Sequence, residues 1–157
     1  MEIERKFLIT DLPFPVDGYP SHLIEQAYLN TEPVIRIRRE DENYYMTYKS
    51  KGLMVREEYN LPLTKEAYDH LLPKSDGNII TKKRICIPLT DTLTAELDIF
   101  SGAFAPLRLV EVEFPDEESA NGFIPPEWFG QEVTFSTAYH NSTLSKMTKT
   151  DIANLIK

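Results

Sequence analysis

The sequence holds one cysteine, Cys86, among its 157 residues. A lone thiol cannot close an internal disulfide or supply a multi-cysteine metal site, so a reducing compartment is expected. Long apolar runs are lacking as well. No stretch approaches the roughly 20 residues that cross a bilayer as a helix, and the first residues show no basic-then-apolar leader pattern. A cytoplasmic setting without membrane contact is therefore expected. Basic charge is scarce overall, with 17 Lys and Arg against 25 Asp and Glu and a formal net charge of −8. Such a balance does not favour broad neutralisation of a nucleic-acid backbone, so no nucleic-acid partner is expected. His22, His70 and His140 have neither metal nor triad spacing, and ordinary surface or boundary positions are expected for them. The few glycines form no phosphate-binding loop.

What the chain does have is short segments rich in β-branched and aromatic residues, separated by Pro, Gly, Asn and Asp. This pattern predicts a mainly β protein with a few peripheral helices. Strands are expected over 2–9, 23–30, 34–40, 43–50, 55–61, 79–87, 94–100, 107–114 and 131–136, and a loop over 11–20, where three prolines fall. Thr64 is placed to cap a helix through Leu72, and Asp116 to cap a second, with Glu117 and Glu118 in its first turn. The tail from Ser142 carries Leu144, Met147, Ile152, Leu155 and Ile156 as an apolar stripe, which predicts one or two helices packed on the body. No repeat or linker divides the chain, so residues 1–157 are expected to form a single domain.

The strands also carry charge on alternate residues. Successive side chains of a strand point to opposite faces, so Glu2, Glu4 and Lys6 share one face while Ile3, Arg5 and Phe7 share the other. The same spacing recurs in Arg36 and Arg38, in Thr47, Lys49 and Lys51, in Arg56 and Glu58, and in Lys82 and Arg84. Glu96 with Asp98, and Glu111 with Glu113, repeat the acidic version. A solvated face explains any one such strand. The recurrence, with Arg5, Arg39 and Glu57 polar on the opposite side, points to a closed barrel with a charged lumen and an apolar coat. Charges withdrawn from water need partners. Here the acids at 2, 4, 98, 111 and 113 can hold a hard divalent ion, and the bases at 6, 36, 38, 49, 82 and 84 can hold a chain of phosphates.

Taken in order, Glu2-x-Glu4-x-Lys6, Arg36-x-Arg38, Thr47-x-Lys49, Arg56-x-Glu58, Lys82-x-Arg84, Leu97-Asp98-x-Phe100, Glu111-x-Glu113 and Glu132-Val133-Thr134 resemble the CYTH family of triphosphate tunnel metalloenzymes, its short bacterial branch in particular. The resemblance runs from Glu2 to about Leu144 and includes Tyr139-x-Asn141. It implies a closed eight-stranded antiparallel tunnel, a requirement for Mg²⁺ or Mn²⁺, and hydrolysis of a small-molecule triphosphate. By position, Glu2, Glu4, Asp98, Glu111 and Glu113 become the metal-side carboxylates. Lys6, Arg36, Arg38, Lys49, Lys82 and Arg84 become the phosphate cradle, with Arg56, Glu58, Glu96 and Lys51 as further tunnel residues. Homodimers occur in families of this kind.

For proton transfer, Tyr28 matches a tyrosine considered as an acceptor in short members. An unperturbed tyrosine is a weak base near neutrality, and a place in the aromatic wall is its other reading. Lys82 is a second candidate base, although nearby anions would favour its charged form. Asn60 stands where the family pattern often has a glutamate, Ala138 where a basic residue is common, and Pro106-Leu107-Arg108 where Gly-Leu is typical. Three functions follow. The first is metal-dependent hydrolysis of inorganic tripolyphosphate to pyrophosphate and phosphate. The second is another triphosphate activity: a nucleoside or thiamine triphosphatase, or an adenylate cyclase. The third is a noncatalytic polyphosphate-binding module.

Overall fold

The computed structural model describes all residues from Met1 to Lys157. Nine strands form one antiparallel sheet: β1 (Glu2–Leu8), β2 (Ser21–Thr31), β3 (Val34–Glu40), β4 (Asn43–Lys49), β5 (Val55–Arg56), β6 (Glu58–Pro62), β7 (Asp76–Pro88), β8 (Thr94–Phe100) and β9 (Arg108–Glu113). Their spatial order is β5-β1-β9-β8-β7-β2-β3-β4-β6. The two ends of this order are sequence neighbours, separated only by Glu57. Arg56 lies opposite Glu2 on β1, and Glu58 lies opposite Lys49 on β4. The segment expected as one strand over 55–61 thus kinks at Glu57 and joins both margins of the sheet. Counted as one stave, it leaves eight in a nearly closed barrel.

Alternation sorts the barrel's faces. Ile3 and Phe7 on β1, Ile85 and Ile87 on β7, Leu97 on β8 and Val110 and Val112 on β9 point outward into a continuous apolar coat. The proline-rich loop after β1 covers this coat with Leu12, Phe14, Val16 and Tyr19, joined by Trp128. Inward positions are charged through the middle of the barrel and become apolar toward one end. There Ile80, Phe100 and Leu109, two residues beyond Lys82, Asp98 and Glu111, pack with Tyr28 and Leu144.

Four short helices lie outside: α1 (Lys65–Leu71), α2 (Glu117–Gly122), α3 (Asn141–Ser145) and α4 (Lys149–Leu155). Thr64 and Asp116 cap α1 and α2 as expected, each accepting a backbone N–H. The tail forms α3 and α4, and Leu144 and Ile152 are buried in the apolar end of the barrel. Close approach fixes α3 there. Gly77 on β7 has φ +71, and a Cβ at that position would collide with the Ser145 carbonyl oxygen. Asn78 then donates to the carbonyls of Leu144 and Met147 at 3.1 and 2.9 Å.

The strand expected over 131–136 does not form. Phe7 and Glu132 make an isolated bridge, and the Thr134 hydroxyl accepts the Lys6 N–H at 2.9 Å. Arg5 fastens the segment through a paired contact to the Glu132 carboxylate at 2.7 and 2.8 Å, and its Nη1 donates to the carbonyls of Ala120 and Phe123. Backbone bonds also run between the segment and β1, from Leu8 to the Gln131 carbonyl at 2.8 Å, from Gly130 to the Leu8 carbonyl at 2.7 Å and from Val133 to the Lys6 carbonyl at 2.8 Å, and the side chains reinforce them.

Candidate active site

The barrel encloses a cavity of about 230 Å³. Its acidic wall comes from adjacent strands: Glu2 and Glu4 from β1, Glu111 and Glu113 from β9, Glu96 from β8 and Glu58 from β6. The register sets Glu4 opposite Glu113 and Lys6 opposite Glu111. The basic groups of the lining are Arg36 and Arg38 from β3, Lys82 and Arg84 from β7, and Lys49 from β4 and Arg56 from β5, the last two beside Glu58 and Glu2 in register. Tyr28 completes the wall beside Arg36, its neighbour in the β2–β3 register.

Most of these charges are paired. Lys49 Nζ bridges Glu2 and Glu58 at 3.0 and 3.3 Å, and Lys6 meets Glu111 at 3.3 Å. Arg84 makes a bidentate contact with Asp98 at 2.8 and 2.9 Å and reaches Glu96 at 3.0 Å. Glu4, Glu113, Arg36 and Arg56 line the cavity without an ion-pair partner, and two of them matter most. Glu4 makes no side-chain ion pair, and burial, with Glu111 and Glu2 nearby, pushes its carboxyl up to about 8. Arg36 makes one side-chain hydrogen bond, from Nη2 to the Thr47 hydroxyl at 3.0 Å, and its buried Nε has no partner.

The remaining shifts follow the same balance of burial and neighbours. Burial pushes Glu2 up to about 6 against the pull of Lys49, and burial likewise raises Glu96 and Glu113. Glu111, although buried, is held well below the usual carboxylate range because Lys6, Arg84 and Lys82 surround it. Lys82 is lowered to about 8, because burial with Arg84 and Arg38 outweighs Asp98. Anions do favour the charged form of Lys82, as expected, but burial and the two neighbouring guanidinium groups act against them.

Several expected placements need correction. Asp98 has the right spacing from Glu96, but it lies opposite Arg84 in the β7–β8 register and behind the cavity wall. Its oxygens are engaged by Arg84 and, at 2.7 Å, by Lys82, so its position gives it the task of fixing those two cations. Lys51 lies outside the tunnel, because β4 ends at Lys49 and alternation stops there; its exposed ammonium pairs with Glu32 at 2.7 Å. His140 takes the boundary place rather than the surface one. It lines the cavity together with Asn141 and Ser142, and burial with Lys6, Arg56 and Lys49 lowers it to about 4. The Tyr139-x-Asn141 motif was the only sequence signal of this, since the tail reaches the tunnel through tertiary packing. Glu40, Tyr45 and Asn60 also line the cavity.

No three His, Cys, Asp or Glu side chains converge into a ready-made metal cage. The donor set nonetheless suits a hard cation. Carboxylate oxygens crowd one wall, and Glu4 is a half-buried acid that touches no cation.

A charged tunnel with acids on one wall and incompletely neutralised guanidinium groups on the other defines an anion-binding barrel. The CYTH domain profile matches residues 1–150. Over 148 residues the chain is 40% identical to an inorganic triphosphatase of Nitrosomonas europaea, covering 92% of this chain and 96% of the relative. It is 33% identical over 154 residues to an inorganic triphosphatase of Acetivibrio thermocellus, covering 92% and 93%. The crystal structure of an inorganic triphosphatase aligns with a TM-score of 0.70 at 37% identity, covering 94% of this chain and 96% of that one. The chain belongs to the CYTH domain family.

Proposed function

We propose that this protein is a triphosphatase that hydrolyses inorganic tripolyphosphate to pyrophosphate and phosphate inside the barrel, with Mg²⁺ or Mn²⁺ as cofactor. The observation that carries the reading is the buried Arg36 guanidinium, which has no carboxylate partner and faces the acidic wall. A buried cation without a countercharge is costly unless a ligand supplies one, and a phosphate oxygen has the matching charge and geometry. The names of the two curated relatives support the substrate class.

Glu2, Glu4, Glu111 and Glu113 would hold the divalent ion. When bound, it supplies charge neutralisation at phosphate oxygens and Lewis-acid polarisation. The chain's own residues do the rest. Arg36 and Arg38 bind and orient the phosphate chain, while Lys6, Lys82 and Arg84 spread the charge that develops on the transferred phosphoryl group. The neutral His140 ring and the Asn141 amide bound the cavity with hydrogen-bonding groups that carry no charge. Tyr28 and Tyr45 are aromatic members of the wall, and a cavity of about 230 Å³ suits a compact anion.

The test is phosphate release from tripolyphosphate, ATP, thiamine triphosphate and pyrophosphate, each with Mg²⁺, Mn²⁺ or chelator. Metal-dependent turnover of tripolyphosphate above the others is expected. Turnover of none of the four would leave only a binding role, and preference for ATP or thiamine triphosphate would replace the proposed substrate.

A further inference from the structure

The cations of the tunnel are held in two different ways. Lys6, Lys49, Lys82 and Arg84 each touch a carboxylate at 2.7–3.3 Å. Arg38 is held by an amide. The Gln26 Oε1 accepts from Arg38 Nε at 2.9 Å and from Nη2 as well, while the nearest carboxylate, Glu40, stays 3.7 Å away. Arg36 follows the same pattern, since it donates to the Thr47 hydroxyl, which in turn donates to the Asn60 carbonyl.

Gln26 is fully buried, and its Nε2 has no hydrogen-bond partner. A buried donor left unpartnered costs stability. A glutamate of the same shape would remove that orphan donor and set a full countercharge against Arg38. The amide instead supplies the two hydrogen bonds to Arg38 and adds no charge.

We propose that Gln26 is a positioning residue for anion binding: its neutral amide fixes the Arg38 guanidinium at the cavity wall without cancelling its charge, which leaves that charge for a phosphate oxygen of the substrate. This rests on the reading of the cavity as a phosphate-chain site.

The experiment compares Gln26→Glu with the uncharged Gln26→Met in the full chain. Calorimetric titration with tripolyphosphate is run over a range of salt concentrations, alongside kcat and KM with Mg²⁺ and thermal melting. Gln26→Glu should melt no lower than wild type yet bind at least about tenfold more weakly, because the substrate must now compete with a buried carboxylate. Its affinity should depend less steeply on salt, one effective charge having been removed, and KM should rise more than kcat falls. Gln26→Met should melt lower while keeping the wild-type salt dependence.

Wild-type affinity and salt dependence in Gln26→Glu would overturn the proposal, and so would the same change of slope in both variants. A Gln26→Glu chain that fails to fold overturns it too, since a carboxylate there is expected to pair with Arg38 in the place of the amide. No binding of tripolyphosphate by the wild type would sink the phosphate-chain reading itself, an outcome separate from wild-type binding that Gln26→Glu leaves intact.

Discussion

Glu4 and Glu113 stand directly opposite each other on β1 and β9, both turned into the tunnel, and neither has a side-chain ion pair. Each carboxyl is raised by burial, and Glu4 reaches about 8. Two acids so placed repel each other unless a proton or a cation lies between them. Replacing Glu4 by Gln keeps the shape and removes one charge.

Glu4→Gln is therefore expected to fold normally, to lose metal-dependent phosphate release, and to be less sensitive to pH when metal-free. An acid whose folded pKa lies above its ordinary value of 4.5 binds its proton more tightly in the folded state. The stability it contributes is present below the ordinary value and is lost as pH rises toward about 8. In chelator, the melting temperature of the wild type should fall as pH rises from the ordinary 4.5 toward about 8, with Glu2 contributing up to about 6. The fall should be shallower in Glu4→Gln. Equal slopes, or loss of the circular dichroism spectrum in the variant, would count against this account of the pair.

The alternation that predicts this pair is also what made most of the fold legible in the sequence. Glu2, Glu4 and Lys6 fall inside and Ile3 and Phe7 outside, because a strand leaves no other choice once one face is buried. Alternation fails where strands end or where partners intervene. Lys51 is two residues past Lys49 but beyond the end of β4, so its spacing places it nowhere in particular. Asp98 keeps its face, yet its role depends on register, since lying opposite Arg84 engages it in ion pairs that spacing alone does not reveal. His140 enters the tunnel because Gly77 lets α3 settle against β7, a contact between residues more than sixty positions apart in the chain.

That histidine gives a second prediction. Burial and three nearby cations hold the free imidazole neutral, with its midpoint lowered to about 4 from the ordinary 6.5. A polyanion in the cavity reverses the local field, which favours the protonated ring. Nitrogen-detected NMR of the free protein should show a neutral ring for His140 throughout the range from pH 5 to 8, and its midpoint should move up when tripolyphosphate is added. A free midpoint near 6.5 would place the ring in solvent rather than in the tunnel wall.

Gly77→Ala tests how the tail completes the site. A side chain at φ +71 is strained, and here it also meets the Ser145 carbonyl, so α3 must shift. Loss of about 1–3 kcal/mol of stability is expected, read from denaturant unfolding. Activity should fall as well at temperatures where the variant remains folded, because Asn141, which accepts from Lys82 Nζ at 3.3 Å, moves with the helix. Full activity in a destabilised but folded variant would separate α3 from the chemistry.

Arg36 and Arg84 are both buried arginines of the same tunnel, and their removal should have opposite effects on stability. Arg84 holds Asp98 bidentately, so Arg84→Ala leaves Asp98 with only Lys82 as a countercharge and should destabilise the fold by about 3–5 kcal/mol. Arg36 touches no carboxylate and carries an unpartnered Nε. Arg36→Ala should therefore leave the melting temperature of the ligand-free protein unchanged or slightly raised, while KM for tripolyphosphate rises by at least about thirtyfold, consistent with a loss of roughly 2 kcal/mol or more when one partner of a buried charged contact is deleted. Arg36→Lys should recover only part of that loss, because a point charge cannot reproduce the bidentate fork. Thermal melts of both alanine variants, measured with and without tripolyphosphate, check the pair together. If Arg36→Ala is destabilised as much as Arg84→Ala and keeps its KM, Arg36 is a structural cation and the anion site lies elsewhere in the barrel.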